Sequence, residues 1–461
     1  MFIIIFIFLL LLFGSHQPIL ASNNIFGLHL TQPQDIYTAK TIINSSAGDW
    51  GWATIVVRTD QLNRQTWQEF FDNCRRFHIQ PIIRLATIME NDYWKRPELS
   101  DIDNLAVFLN SLNWPTKDQP VILFNEINHA KEWGGQVDIK NYTDIAIYTS
   151  KKFKELNPNF KILSPGLDLA APENPPLSKS AGNIYRKIFL YRPEFFDSID
   201  AIASHSYPNH GYVGTPKDTS QHSIKGYKWE TDFLQNLGIK KNYPVYITET
   251  GWPHRQGIRV DNKFYTAQTS ANFLADALSL WTSDPNIVAV TPFIYNYPDE
   301  PFDHFPWLDK NEKLMPEYQK IIDLPKNPNQ PEQITKFYSQ AIRLPFLIFT
   351  DTEYTGKITL ENTGQSIWGE RGSFCLSPQT TPNVQLDAIC VGNDYIYPTQ
   401  SITLNFMFKI KSDKDYQGKT QIGWENTDTY QITPFYDKST IYHVDLKIKD
   451  KITNFFKKLL K

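Results

Sequence analysis

Two patterns predict an α/β fold, namely a (β/α)8 TIM barrel followed by a smaller all-β sandwich. Short β-rich runs alternate with amphipathic helical stretches from residue 25 to 325, and period-2 runs broken by Asn, Gly and Pro take over from residue 355. The 461 residues exceed one ordinary domain and suit one large unit with one smaller. Hydrophobic residues make up 41% and charged residues 21%, a balance that supports a packed core and excludes global disorder. A net charge of -3 gives no electrostatic case for nucleic acid, which would call for a strongly basic face.

The β-rich runs are IFGLHL (25–30), ATIVVR (53–58), PIIRLA (81–86), PVILFNE (120–126), FKILSP (160–165), IDAIASH (199–205), PVYITE (244–249) and NIVAVTPFIY (286–295). Helical patterns fall between most of them, for example at 64–77, 140–156 and 264–282. Such an alternation matches a barrel, which takes roughly 250 residues or more with insertions. A doubly wound open sheet would alternate too, but would carry a Gly-rich phosphate loop after its first strand, and FGLHLTQPQD has none. In WQEFFDNCRRF, Trp67, Phe70, Phe71, Cys74 and Phe77 recur at helical spacing, so Cys74 reads as a core residue.

DLPKNPNQPEQ (323–333) reads as a linker from its Pro, Asn and charge content. TGKITLENTG (355–364), SITLNFMFKIKS (401–412) and GKTQIGWENTDTYQITPF (418–435) then read as strands of a sandwich. Cys375 and Cys390 fall in this region and are the pair available for a disulfide after export. The expected boundaries are a signal peptide or N-terminal anchor at 1–21, the barrel at 22–324, a linker at 325–338, the sandwich at 339–444 and a basic amphipathic tail at 445–461.

Phe2–Phe13 is an unbroken apolar run, too short to span a bilayer comfortably but fitting a signal-peptide h-region with cleavage near Ala21. No Lys or Arg precedes it, so a retained anchor is the alternative, and either reading makes the chain exported, secreted or held at the cell surface. The tail DLKIKDKITNFFKKLLK (445–461) places Ile448, Ile452, Phe455, Phe456, Leu459 and Leu460 on one face and six Lys around it. That face suits an anionic membrane surface or a partner, or packing on the protein itself. Otherwise the chain is expected to be a monomer.

Two acidic motifs carry the chemistry. VILFNEIN (121–128) ends an apolar run on Asn125 and Glu126, and VYITETGWP (245–253) ends another on Glu249. Both carboxylates then sit at the C-terminal mouth of the barrel, where reactions take place in this fold. Two such groups from separate strands can flank one bond, as glycoside hydrolysis requires. The pattern resembles clan A of the glycoside hydrolases, retaining enzymes in which an Asn-Glu pair ends strand four and a Glu ends strand seven. The resemblance covers residues 25–325. It implies that Glu126 is the acid/base, Glu249 the nucleophile and Asn125 the group binding the sugar 2-hydroxyl.

ASHSYP (203–208) resembles the strand-six motif and offers His205 and Tyr207, the tyrosine being expected to hydrogen-bond the nucleophile. Arg58 in VVRTD resembles the arginine that keeps that nucleophile ionised, while Arg84 on strand three is a further group that reaches the site. FPWLDKNEKLMPEYQKI (305–321) resembles the segment leading into the last barrel helix. Clan members usually carry a Trp at the end of strand eight, whereas this chain has FIYNYP, so Tyr295, Tyr297 or Trp307 is expected to substitute. On this reading Glu249 stays ionised while Glu126, facing that charge, holds its proton.

Fourteen per cent aromatic residues, with 12 Trp, suit a cleft that covers pyranose rings as well as a large core. Trp133 and Trp252 lie on mouth loops as either sugar platforms or packed residues, and Asp168 after strand five as a loop cap or a substrate contact. LENTGQSIWGERG (360–372) resembles an Ig-like module, in which Trp368 reads as core. No HExxH or similar spacing occurs, so neither metal nor other cofactor is expected. The expected function is a retaining glycoside hydrolase acting on an extracellular oligo- or polysaccharide. A non-catalytic glycan-binding or adhesion protein is the alternative, and transglycosylation would use the same residues.

Overall fold

The computed structural model describes residues 23–346, 351–370, 374–378, 384–392, 394–411 and 424–427. The expected N-terminal segment at 1–21 and the basic tail at 445–461 lie outside them. Among the described residues no helix is long and apolar enough to cross a membrane. The chain divides into two units, one comprising the residues up to Asn113 with Asp118–Pro331, the other Trp114–Lys117 with Glu332 onward.

In the first unit β1 (Gly27–His29), β2 (Gly51–Arg58), β3 (Ile79–Ala86), β4 (Gln119–Ile122) and β5 (Phe160–Leu163) pair in parallel in sequence order. Strands β6 (Ile202–His205), β7 (Val245–Glu249) and β8 (Ile287–Val290) do the same. Single parallel bridges, Leu163 to Ala201 and Phe26 to Val290, join the two sets at both ends. Each strand therefore has a parallel neighbour on either side. Helices α1 (Ile36–Ile43), α2 (Arg64–Arg76), α3 (Leu99–Asn110), α4 (Ile139–Leu156), α5 (Ala181–Tyr191), α6 (Gly226–Asn236), α7 (Ala267–Thr282) and α8 (Gln319–Asp323) connect or follow them.

The strand positions follow from burial on both faces, which selects near-continuous apolar runs. Trp52, Ile82, Ile122, Leu163, Ala203, Tyr246 and Ala289 form one buried layer drawn from seven of the eight strands. Ile55, Val57, Ile83, Leu85 and Val121 are fully buried as well. Helix starts are fixed by side chains that satisfy free N–H groups. Asn63 accepts from Thr66 N at α2, Asp138 from Asn141 N at α4 and Thr266 from Thr269 N at α7. Trp67, Phe70, Phe71 and Cys74 line the inner face of α2, as their spacing predicts. The fourth and eighth runs are shorter as strands than the apolar stretches suggest, ending at Ile122 and Val290.

The second unit is antiparallel. Strands β9 (Phe337–Arg343), β10 (Glu353–Asn362), β14 (Ser401–Ile410) and β12 (Val384–Leu386) lie side by side in one sheet. Strands β13 (Ile389–Cys390), β11 (Cys375–Pro378) and β15 (Trp424–Thr427) form another. Ile358, Leu360, Phe406 and Phe408 from the first sheet share a buried cluster with Leu376 and Ile389 from the second. A disulfide joins Cys375 and Cys390, which are direct partners across β11 and β13. The first strand opens at Phe337, two positions inside the stretch expected to be linker.

Trp368 is a core residue, its ring stacked on Phe374 with centroids 4.3 Å apart. Trp368→Ala is expected to destabilise this unit by about 3–5 kcal/mol. Urea unfolding would read that as a lower midpoint at unchanged slope.

Candidate active site

The carboxylates predicted to work together are together. Glu249 is the last residue of β7, and Glu126 lies four residues beyond β4. Between the end of β4 and Glu126 the backbone turns through positive φ at Phe124 (70°) and at Glu126 itself (30°). Such a conformation costs about 1–3 kcal/mol per non-glycine residue and persists where surrounding contacts over-determine it, often at functional sites. Here it aims Glu126 back over the strand ends. One oxygen from each glutamate and a ring nitrogen of His205 all lie within 4.8 Å of one another.

His205 ends β6 and sits opposite Glu249 in the strand register. Its Nδ1 shares a hydrogen bond with Glu126 Oε1 at 2.9 Å and lies 3.8 Å from Glu249 Oε2. Burial pulls the imidazole down, but the carboxylates of Glu249 and Glu126 outweigh it and hold His205 above its usual range. Beneath it Ser204 Oγ donates to the buried Glu230, which also accepts from Tyr185 at 2.6 Å. Burial pushes Glu230 up to about 7. The ring fits because residue 166 is glycine, where a Cβ would overlap it.

Glu249 is buried and held from three sides. Arg84 Nη1 donates to its Oε1 at 2.7 Å and Tyr207 Oη to its Oε2 at 3.2 Å. Burial alone would raise this carboxyl, but the charges of His205 and Arg84 and the Tyr207 hydroxyl hold it below its ordinary value. The third neighbour is His29 of β1, with Nδ1 3.9 Å from Oε1. Burial drives His29 down to about 3, so it faces the carboxylate as a neutral ring. Asn125 joins the group by accepting from the same Arg84 Nη1 at 2.8 Å and donating to Glu132 Oε2 at 3.1 Å.

Arg58 takes no part. It is the last residue of β2 and forms a two-point pair with Asp60, with Nε to Oδ1 at 2.9 Å and Nη2 to Oδ2 at 2.6 Å. Arg84 rather than Arg58 pairs with Glu249, and the strand register sets the two arginines at different heights. Arg84 is level with Val56, while Arg58 is level with Ala86, two residues nearer the rim. At roughly 3.3 Å per residue the two arginines are offset by roughly 7 Å along the strands.

The aromatic candidates are also corrected. Trp133 is buried under its own loop, donating to Asn141 Oδ1 at 3.0 Å and packed between Phe124 and Tyr142. Trp252 is buried against Phe273 and donates to Gly214 O at 2.7 Å. Tyr295 is buried with its hydroxyl bonded to Thr38, and Trp307 is stacked on Tyr318 with centroids 4.6 Å apart. Tyr297 packs at the edge of a cluster of Tyr207, Ile294 and Phe305. Two unpredicted aromatics pack on neighbours of Glu249. The Phe293 ring lies edge-on 5.2 Å from His29, and Tyr212 packs 5.2 Å from Tyr207. Burial and the charges of Glu126, Asp168 and Glu249 push the Tyr212 hydroxyl up. Asp168 caps its own loop through Ala170 N and pairs with His129 Nε2 at 2.8 Å.

No family model matches this chain, and no curated protein matches it. Solved structures to which this chain is similar include an endo-beta-1,3-glucanase from Sorangium cellulosum, at 13% identity over 66% of this chain and 98% of that one, with a TM-score of 0.41. A glucosidase from Croceicoccus marinus aligns at 8% identity over 85% and 96%, with a TM-score of 0.46. A family 51 alpha-L-arabinofuranosidase from Bifidobacterium longum aligns at 11% identity over 84% and 96%, with a TM-score of 0.41. At this distance the reading of function rests on the cleft itself.

Gly166→Ala tests the packing that seats His205. It is expected to cost about 1–3 kcal/mol of stability by overpacking. Thermal melting would register the loss, and a structure of the variant would find the ring turned away from Glu126.

Proposed function

We propose that this protein is a retaining glycoside hydrolase, built on a (β/α)8 barrel with an appended Ig-like module, that cleaves O-glycosidic bonds of an extracellular glycan. The observation that carries the proposal is the separation of the two glutamates. Their oxygens lie within 4.8 Å of one another. Retaining pairs are spaced at about 5–5.5 Å, so that one carboxylate reaches the anomeric carbon, whereas inverting pairs stand about 6.5–9.5 Å apart to admit a water.

The roles divide by environment. Glu249 is buried, ionised and aimed by Arg84 and Tyr207, which suits a nucleophile. Glu126 is more open, with 23% of its side chain exposed, as an acid that must meet both a leaving group and later a water. In the first step a Glu249 oxygen bonds to the anomeric carbon while Glu126 gives its proton to the departing glycosidic oxygen. In the second, water attacks that carbon, Glu126 takes the water's proton and Glu249 leaves as carboxylate. His205 between them offsets like-charge repulsion as the proton moves. Tyr212 and Phe293 are the rings proposed to flank the sugar, in place of Trp133, Trp252 and Tyr295.

The test is a screen of glycans and aryl glycosides on wild type, Glu249→Gln and Glu126→Gln. Glu249→Gln is expected to abolish turnover, and Glu126→Gln to lower it by about 10²–10⁴-fold. NMR of the first-formed product should find the substrate's own anomeric configuration. Wild-type silence on every substrate, with glycan binding intact in all three proteins, would replace this reading with that of a glycan-binding protein.

A further inference from the structure

A third carboxylate stands behind the pair and has no part in the two steps above. Glu132 lies in a short 3-10 turn after β4, six residues past Glu126, and accepts from Asn125 Nδ2 at 3.1 Å. Asn125 Oδ1 accepts from Arg84 Nη1 at 2.8 Å, and that same nitrogen donates to Glu249 Oε1 at 2.7 Å. The chain Glu132–Asn125–Arg84–Glu249 is therefore continuous. Arg84 has few other supports, because its Nε is buried without a hydrogen-bond partner among the described residues.

The middle link can face two ways. A primary amide carries an acceptor on one side and donors on the other, and a half-turn exchanges them. With NH2 toward Arg84, donors would face donors and the guanidinium would lose its anchor. Arg84 only donates and an ionised Glu132 only accepts, so the two together select the orientation in which NH2 faces Glu132 and the oxygen faces Arg84. We propose that Glu132 is a positioning residue of the cleft, which anchors the Asn125 amide and thereby the seat of Arg84 on Glu249. This inference rests on the glycosidase reading for its catalytic consequence, though the amide orientation itself does not.

The surroundings make that control sensitive to pH. Burial and the negative charge of Glu126 push Glu132 up to about 7, with Glu249 adding to the shift and Asn125 and Arg84 opposing it. His129, whose ring pairs with Asp168, also faces it. Lys95 lines the adjoining cavity with Arg84, Asn125 and Trp133, but its ammonium lies 3.6 Å from Glu98. That cavity is about 10 Å³, room for about one water and for no larger group that could replace Glu132. The sign follows directly. Below about pH 7 Glu132 takes a proton, and its hydrogen bond from Asn125 loses the strengthening that an ionised acceptor gives. Above it the carboxylate holds the amide firmly in the productive orientation.

The experiment compares wild type, Glu132→Gln and Glu132→Leu. The wild-type kcat profile is expected to rise through an ionisation near pH 7. Glu132→Gln keeps an acceptor but cannot titrate, so its profile should lose that step while activity survives. Glu132→Leu should lower kcat by about 10²-fold with KM little changed, since a misplaced nucleophile is felt in the transition state. In parallel, the side-chain 15N–1H signals of Asn125 should titrate with a midpoint near pH 7 in wild type and stay flat in Glu132→Gln. A step that persists in Glu132→Gln, or a Glu132→Leu enzyme with wild-type kcat, would overturn the proposal. A wild type that turns over no substrate would sink the glycosidase reading alone, leaving the Asn125 signals to decide the role of Glu132. A Leu variant that does not fold leaves the Gln comparison to decide by itself.

Discussion

The cleft depends on one buried ion pair, Arg84 with Glu249. A carboxylate removed from water is costly unless a cation and further donors replace its hydration. Arg84 supplies the cation at 2.7 Å, Tyr207 supplies a second donor, and His205 lies 3.8 Å from the other oxygen. The groups come from β3, from just beyond β6 and from the end of β6, so the carboxylate of β7 is pinned by strands on more than one side of the ring. Such pairs contribute little net stability over apolar packing. They keep an anion aimed and ready where water would otherwise hold it.

That constraint reaches outward through the second carboxylate. Glu126 must lie near Glu249 yet remain more open, and the chain meets both demands by leaving β4 early, at Ile122, and turning through positive φ at Phe124 and Glu126. His205 bridges the two acids and is itself set by Gly166 on one side and Ser204 and Glu230 below. Most of these groups come from strand ends or the residues next to them. A pair that must keep its spacing within a few tenths of an ångström is better held by strands than by loops.

The sequence carried much of this on its face. All eight β-rich runs contain a strand, because strands buried on both sides must be apolar throughout and few other segments are. The placement of Asn125, Glu126, His205, Tyr207 and Glu249 was legible because each closes or follows such a run, and a strand end fixes where a side chain lies along the strand direction. What could not be read was height across strands. Arg58 and Arg84 both lie on similar runs, and only the register, which sets Arg84 level with Val56 and Arg58 level with Ala86, shows that the two stand at different heights. His29 and Glu132 escaped for a related reason. Each belongs to a segment with no charge pattern of its own, and its meaning comes from a partner distant in sequence or from a turn that folds back.

The aromatic residues illustrate a different limit. A tryptophan on a mouth loop can cover a sugar or fill the space under its loop, and its neighbours in sequence look the same in both cases. Trp133 and Trp252 fill space, each with its indole N–H given to an acceptor on the protein, which is the usual condition of a buried indole. With those rings committed inward, the apolar contribution to the cleft falls to residues such as Phe293 and Tyr212, on loops after β8 and β6. The charged groups are thus fixed at or near strand ends, while the apolar rings beside them come from loops. On the function proposed above, a change of ligand would leave Arg84, Tyr207, His205 and the two glutamates in place and act on the loops around them.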